Sequence, residues 1–229
     1  MTVVAGVDGC PGGWVAALVD LADRSAHWRR VPDARGVVGL LDDVAVVGID
    51  IPIGLPEPGE ARACDRLARV ELRERRSCVF PAPPRIVLAE PEFRAANVAS
   101  RRCGGKGISK QAFFIGARIV DLDLTLDPAL AERVVEVHPE LSFARMAGRP
   151  IGTKKTATGL ATRRELIAHW LPGDVAALVD ARPTRVRPDD ALDALACAWT
   201  MDRWVRGEAE SLPAEPPYDA RGLPMRIVC

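Results

Sequence analysis

Five acidic residues of this 229-residue chain have types and positions that suit metal-assisted hydrolysis. They lie in four separate stretches of the sequence: Asp8, Asp50, Glu136, Asp190 and Asp193. Carboxylates without histidine or cysteine partners are typical ligands of hard cations such as Mg²⁺ or Mn²⁺. Two such ions about 3.5–4 Å apart can activate water, neutralise a phosphoryl group and stabilise a leaving oxygen. We therefore take these five residues as candidate catalytic groups.

Each of these acids also has a simpler structural interpretation. Asp8 precedes a turn rich in Gly and Pro, where an aspartate commonly accepts hydrogen bonds from nearby backbone N–H groups. Asp189 and Asp190 are explained by the positive end of a helix, which favours aspartate. The same explanation fits Asp193 poorly, because Asp193 lies among Ala and Leu. Glu136 lies inside an apolar run, where an isolated carboxylate is costly unless it is paired or bound to a metal.

The elements that carry Asp8 and Asp50 are predicted to be strands. The stretch Thr2–Val19 has two apolar runs around the turn Gly9–Gly13, which predicts a β-hairpin with a loop longer than two residues. Val44–Ile51 is apolar on both faces, as expected of a central strand. If the first strand and this central strand are parallel neighbours, their terminal aspartates lie at the same end of the sheet.

The closing helix carries the other acidic pair. The stretch from Pro188 to Gly207 has Pro at its start and Gly past its end, which is typical of a helix. Asp190 and Asp193 are three residues apart and therefore lie on one face, within reach of a shared cation. The remaining predicted elements are strands at 26–31 and 133–137, a short helix at 32–42, and helices at 58–77, 91–100, 112–121 and 162–171.

Positive charge is concentrated in one segment, although the whole chain has a net charge of zero. From Arg62 to Arg118 there are thirteen Arg or Lys against five Asp or Glu, a net charge of +8, so the remainder carries −8. This segregation favours a surface that contacts backbone phosphates; a solvated helix face in an Arg-rich protein is the alternative. The candidate substrate-binding residues are Arg73, Arg75, Arg76, Arg101, Arg102, Lys106, Lys110 and Lys154.

Three further stretches have open or local interpretations. Lys154 lies in Gly148–Thr158, which suits either contact with an anion or a mobile surface loop. His138 follows the strand that holds Glu136 and is either a chemically active group or a histidine with satisfied hydrogen bonds at a strand end. Residues 208–229 are rich in Pro and Glu, which predicts an extended tail.

The composition and the absence of certain motifs argue against several classes of protein. No apolar run approaches the roughly 18–20 residues that cross a membrane, and the N-terminus lacks the pattern of a signal peptide. The six cysteines show no CxxC or CxxH spacing, which argues against a zinc site or a disulfide framework and fits a cytoplasmic protein. The sequence also contains neither a P-loop nor a dinucleotide-binding glycine motif.

Several motifs together resemble one family over most of the chain, from Val3 to about Gly207. They are Gly6-Val-Asp-Gly-Cys-Pro-Gly-Gly-Trp14, Ile49-Asp-Ile-Pro-Ile-Gly-Leu-Pro56, Val79-Phe-Pro-Ala-Pro83, Glu136-Val-His-Pro-Glu140 and Asp189-Asp-Ala-Leu-Asp-Ala194. In these motifs the chain is similar to the predicted RNase H-like nuclease family, domain-of-unknown-function family 429. Asp190-Ala-Leu-Asp193 also resembles the Asp-x-x-Asp pair on the final helix of Holliday-junction resolvases.

The resemblance implies an α/β protein with an RNase H-like fold. This fold has a mixed central sheet flanked by helices, here with a helical insertion after the fourth strand. The expected organisation is a single domain over residues 1–207, with the insertion at about 52–127, and a tail over 208–229. The resemblance makes four of the five acids the expected ligands of Mg²⁺ or Mn²⁺: Asp8, Asp50, Asp190 and Asp193.

The expected function is a nuclease that hydrolyses phosphodiester bonds of DNA or RNA by a carboxylate-bound two-metal mechanism. The basic insertion would lie across the mouth of the acidic site and guide a phosphate backbone to the metals. Nucleic acid is the expected partner, and a homodimer is compatible with the resemblance because resolvase-like relatives often pair. One alternative is a non-catalytic module that binds nucleic acid or protein. An ATPase or kinase of the actin-like type fits less well, because it needs two such domains.

Overall fold

The computed structural model of the protein describes residues 2–229, which divide into two compact units. The sheet unit consists of the residues up to Ile51 together with Arg133–Glu210 and Val228–Cys229. The insertion unit consists of Pro52–Glu132 and Ser211–Ile227. All five candidate catalytic acids belong to the sheet unit.

A five-stranded mixed sheet forms the centre of the sheet unit. Its strands are β1 (Val3–Cys10), β2 (Gly13–Asp20), β3 (Ala26–Val31), β4 (Val46–Ile49) and β5 (Val134–Glu136). Their order is β3-β2-β1-β4-β5. The first three strands are antiparallel neighbours, whereas β4 runs parallel to both β1 and β5. The predicted mixed α/β fold is confirmed, with β1 and β4 at its centre.

The turn between β1 and β2 is shorter than predicted. Cys10 pairs directly with Gly13, so the loop contains only Pro11 and Gly12. Gly12 has φ +81° and Gly13 has φ +140°, conformations that side chains other than glycine rarely adopt. The prediction of a loop longer than two residues was wrong, because this glycine pair reverses the chain within two residues.

The chain contains nine α-helices over residues 2–229. They are α1 (Ala34–Gly39), α2 (Ala63–Glu71), α3 (Arg85–Leu88), α4 (Phe93–Arg102), α5 (Lys110–Thr125), α6 (Pro139–Ala147), α7 (Ala157–Trp170), α8 (Val175–Asp180) and α9 (Pro188–Val205). Short 3₁₀ helices cover Leu40–Asp42, Arg73–Cys78 and Leu130–Glu132. Four of the α-helices have a side-chain N-cap. In each, the side chain of the residue before the helix accepts a hydrogen bond from the backbone N–H three residues later, a donor that has no partner within the helix. These residues are Asp33, Ser109, Thr156 and Asp174.

Helix α9 packs closely on β1 and β4 because two paired glycines leave room for it. Gly6 of β1 lies opposite Gly48 of β4 in the parallel register. A Cβ atom on Gly6 would collide with the backbone of α9 at Ala194 and Ala198. A Cβ atom on Gly48 would lie 2.8 Å from the Met201 side chain. The two glycines therefore determine which face of the sheet receives the closing helix.

The residues after Gly207 are folded, in contrast to the predicted extended tail. Ser211–Leu212 forms β6 and Ile227–Val228 forms β7, and the two pair as a small sheet. Within the insertion unit, Leu223 and Met225 are buried, and Asp219 forms ion pairs with Arg85. The apolar residues at 223, 225 and 227 alternate as in a strand, a signal that the Pro-rich and Glu-rich composition obscured.

Candidate functional site

Asp8 and Asp50 lie side by side at one edge of the central sheet. Val7 pairs with Ile49 in the parallel register, and the backbone N–H of Asp50 donates to the carbonyl oxygen of Val7 at 3.0 Å. Alternate residues of a strand point to the same face. Asp8 and Asp50 each lie two residues beyond a glycine that contacts α9, so both side chains point to the face that α9 covers.

The first turns of α9 place Asp190 and Asp193 at the same end of the sheet unit. Both side chains are buried, with 3% and 2% of their residue surface exposed. Asp190 is held by Arg187, whose guanidinium Nη2 donates to Asp190 Oδ1 at 2.9 Å and whose backbone N–H donates to Oδ2 at 3.3 Å. This arrangement fixes the start of the helix and leaves Asp193, one turn further on, facing the interior of the site.

The pKa shifts of these carboxyl groups indicate that three of them lie close together. Burial raises the pKa of Asp8 well above the usual range, and the charges of Asp50 and Asp193 raise it further. Burial and the charge of Asp50 likewise raise the pKa of Asp193 to about 7, although the neighbouring Lys154 acts in the opposite direction. The site therefore contains more negative charge than its own cations compensate.

Lys154 lies among these carboxylates rather than on an open surface. Its ammonium group forms an ion pair with Asp193, and only 31% of its side chain is exposed. Burial acts to lower the pKa of Lys154, but the charges of Asp193, Asp8 and Asp50 outweigh burial and raise it. The predicted contact of Lys154 with an anion is thus made within the protein, to a carboxylate of the candidate site.

Glu136 does not join this group. It pairs with Ile49 in the register between β4 and β5, so it shares the face of Ile49 and not that of Asp50. A Cβ atom on Gly48 would lie 3.0 Å from the side chain of Val137. Val137 therefore points to the α9 side, and its neighbour Glu136 points to the opposite face. The expectation that Glu136 acts beside the four aspartates is not supported by its placement, although the side chain is buried.

Glu140, which the sequence did not suggest, takes a place near the aspartates instead. It lies in the first turn of α6, and its charge raises the pKa of both Asp50 and Asp193. Arg163 of α7 binds both oxygens of Glu140 at 2.8 Å and is itself fully buried. The sequence signal for Glu140 was the Pro139-Glu140 pair shortly after a strand, because proline favours the first position of a helix.

His138 also lies close to Asp50, since its charge lowers the pKa of that carboxyl group against the stronger effect of desolvation. It precedes α6 as the N-cap residue. Its Nδ1 atom is enclosed and has no hydrogen-bond partner among residues 2–229. The interpretation of His138 as a fully hydrogen-bonded histidine at a strand end therefore does not hold for this nitrogen.

The donor set suits a divalent cation chemically. Asp8, Asp50 and Asp193 offer only oxygen ligands, which Mg²⁺ and Mn²⁺ prefer, and their mutual repulsion is the kind of charge excess that a cation relieves. Within residues 2–229, however, no three His, Cys, Asp or Glu side chains already surround a single point as metal ligands. The ammonium group of Lys154 supplies part of the missing positive charge.

The other candidate substrate-binding residues lie in the insertion unit. Six of the seven are exposed to solvent, and the seventh, Arg75, is half-buried. The exposed residues are Arg73, Arg76, Arg101, Arg102, Lys106 and Lys110. Their exposure makes them available to a partner molecule. Across residues 2–229, no helix has the length and apolar character needed to span a membrane.

Comparison with known proteins adds one family match. Residues 6–218 match the model of a family described as "Protein of unknown function (DUF429)". No curated protein matches the chain. Among solved structures, the chain is similar to one described as "Thermus thermophilus RuvC structure", with 12% sequence identity and a TM-score of 0.36, over 90% of this chain and 96% of that chain.

Proposed function

The chain belongs to the family described as protein of unknown function (DUF429), so its activity has to be argued from its own site, and we propose that it is a divalent-metal-dependent nuclease. Its substrate would be the phosphodiester backbone of DNA or RNA. The observation that carries the proposal is the excess of carboxylate at one sheet edge, where Asp50 and Asp193 raise the pKa of Asp8 and Asp50 also raises that of Asp193. A bound proton or a cation relieves such an excess, and cation-bound carboxylates are a common arrangement for phosphoryl chemistry.

In this proposal, Asp8, Asp50 and Asp193 hold the metal, with Asp190 beside them. The metal supplies charge neutralisation at the phosphoryl group and lowers the pKa of a bound water. Helix α9 and the sheet edge fix the carboxylates on rigid elements, which reduces the reorganisation needed when substrate binds. Arg187 orients Asp190 by two guanidinium contacts, at 2.9 Å and 3.3 Å.

The basic residues of the insertion unit are proposed to bind the phosphate backbone of the substrate. The segment Arg62–Arg118 has a net charge of +8, and most of its candidate contact residues are exposed. Arginine and lysine side chains bind nucleic acid mainly through phosphates, without sequence preference. The proposal therefore includes a polyanionic substrate and not a small neutral one.

The proposal is tested by cleavage of labelled single-stranded and double-stranded DNA and RNA in Mg²⁺ or Mn²⁺, with EDTA as the metal-free condition. We expect cleavage that EDTA abolishes and that Asp8→Asn lowers by about a hundredfold or more, since even indirect supports of a metal site are worth about 10–100-fold. Asp43→Asn is the matched control, because Asp43 is exposed and pairs with Arg29 at the surface. Cleavage that is equal in wild type and Asp8→Asn would contradict the proposal.

A non-catalytic binding module remains the second candidate function, favoured by the ion pair between Lys154 and Asp193. An ammonium group there partly neutralises the carboxylates without any metal. This candidate predicts nucleic-acid binding that is insensitive to EDTA, with no cleavage of any labelled substrate. ATP turnover in the same preparation would instead favour a phosphotransferase.

A further inference from the structure

We propose that Lys154 is a built-in cation of the carboxylate site, which takes the place of one divalent ion so that the protein binds a single Mg²⁺ or Mn²⁺. This inference rests on the proposed function and refines it. The carboxylate set considered alone predicts two ions. The position of Lys154 reduces that number to one and makes the lysine a permanent part of the charged centre.

The first argument is the contact itself. The Lys154 ammonium group forms an ion pair with Asp193, whose side chain is almost fully buried. Asp193 is also one of the residues expected to bind metal, so a second divalent ion on this carboxylate would meet the ammonium charge. Like charges at such short range repel strongly, and more so beside a buried carboxylate than in bulk water.

The second argument is a charge balance over the charged groups of the site. Asp190 is paired with Arg187, and Glu140 is paired with Arg163, so these four residues carry no net charge together. The unbalanced groups are Asp8, Asp50 and Asp193 against Lys154, which leaves a net charge of −2 when all four are ionised. One divalent ion compensates this charge, whereas two would leave a net charge of +2, compared with +1 when the ammonium group of Lys154 is absent.

The third argument is that the loop carrying Lys154 is anchored from inside the protein. Arg163 donates to the carbonyl oxygens of Gly152 at 3.0 Å and Gly159 at 2.8 Å while it binds Glu140. The backbone N–H of Gly159 donates to the Thr156 hydroxyl group at 3.1 Å. These contacts hold Gly152 on one side of Lys154 and the first turn of α7 on the other, so that Lys154 lies against the carboxylates.

The neighbouring residue Lys155 provides a natural comparison. It belongs to the same loop and has the same charge, but its side chain is exposed. If charge in the loop were sufficient, the two lysines would influence metal binding alike. Because only Lys154 reaches Asp193, we expect only Lys154 to set the number of bound ions.

The test is Mn²⁺ binding measured by calorimetry on metal-free wild type, Lys154→Met and Lys155→Met. We expect wild type and Lys155→Met to bind one ion each. Lys154→Met should bind two, with the first ion bound at least about tenfold more tightly, because an opposing charge has been removed. Lys154→Gln, which keeps a hydrogen-bond donor without the charge, replaces Lys154→Met if the latter does not fold.

The inference would be overturned if the wild type bound two ions or none. It would also be overturned if Lys154→Met bound as many ions as the wild type, or if Lys155→Met changed the number of bound ions as Lys154→Met is expected to do. Thermal unfolding provides a second readout, since Mn²⁺ should raise the Tm of Lys154→Met by more than that of wild type. Neither measurement uses substrate. Failure of the nuclease proposal would appear as absent cleavage with the ion count as expected, and failure of this inference would appear in the ion count itself.

Discussion

Asp193 has a carboxyl group with unusual acid–base properties. Burial of its carboxyl group and the charges of Asp50 and Glu140 outweigh the ion pair with Lys154, so its pKa rises to about 7. In the unfolded chain the same group titrates in the usual range of aspartate, near pH 4. Between these two values, the folded protein therefore holds a proton that the unfolded chain has released.

This difference predicts how stability depends on pH in the metal-free protein. The free energy of unfolding falls as pH rises wherever the folded state binds more protons than the unfolded state. We expect wild type to lose stability relative to Asp193→Asn between about pH 4 and pH 8. Urea unfolding of both proteins in EDTA, at a series of pH values, measures the difference. A difference in unfolding free energy that stays constant over this range would contradict the prediction.

Helix α9 determines the site at the level of elements, because it carries Asp190 and Asp193 and contacts β1 and β4 directly. The contact depends on Gly6 and Gly48, which pair with each other in the parallel register. Any side chain on Gly6 would collide with the backbone of α9, and helix backbone cannot move aside as a flexible side chain can. The distance between the two pairs of aspartates therefore depends on these glycines.

We predict that Gly6→Ala destabilises the protein by about 3 kcal/mol or more, the upper end of what overpacking usually costs. The same variant should weaken Mn²⁺ binding, because α9 and its aspartates would move away from Asp8 and Asp50. Gly39→Ala at the end of α1 is the matched control. A Cβ atom there meets no described atom within 4 Å, and alanine favours the helix. Urea unfolding of the two variants checks the prediction, and equal stabilities would refute it.

Charge is unevenly distributed over the whole molecule, although the total is zero. The segment Arg62–Arg118 of the insertion unit has a net charge of +8, whereas the candidate catalytic acids belong to the sheet unit. A polyanion that binds the basic segment releases counterions, so its affinity should fall steeply as the salt concentration rises. Salt dependence is therefore the direct measure of the proposed role of this segment.

We predict that the double variant Arg101→Glu/Arg102→Glu binds nucleic acid more weakly than wild type. If each arginine contacts one phosphate, the plot of log affinity against log salt concentration should also become less steep, by roughly one to two in slope. Both residues are exposed at the end of α4, so the substitutions should not disturb folding. The matched control is the double variant Arg35→Glu/Arg149→Glu, because both arginines are exposed and belong to the sheet unit. Fluorescence anisotropy at several salt concentrations gives both slopes. An unchanged slope in the Arg101 and Arg102 variant would exclude these two residues as phosphate contacts.

The sequence by itself determined the features that depend on local patterns. Alternating or continuous apolar runs predicted β1 to β4, and the Pro and Gly at the two ends of α9 predicted the closing helix. The positions of Asp8 and Asp50 at the ends of two apolar runs predicted their common edge, because parallel neighbours have their ends together. Each apolar run and each helix end is specified by residues that are close together in the chain, whereas the common edge also required the two strands to be parallel neighbours.

Only the tertiary structure decided which side chains meet. Alternation placed Glu136 on one of two faces, but the choice of face depends on where α9 packs, and that depends on Gly6 and Gly48. The role of Lys154 depends on a loop that Arg163 of the following helix holds while it binds Glu140 of α6. Contacts between residues far apart in the chain are set by packing and charge in three dimensions, which no local pattern of the sequence records.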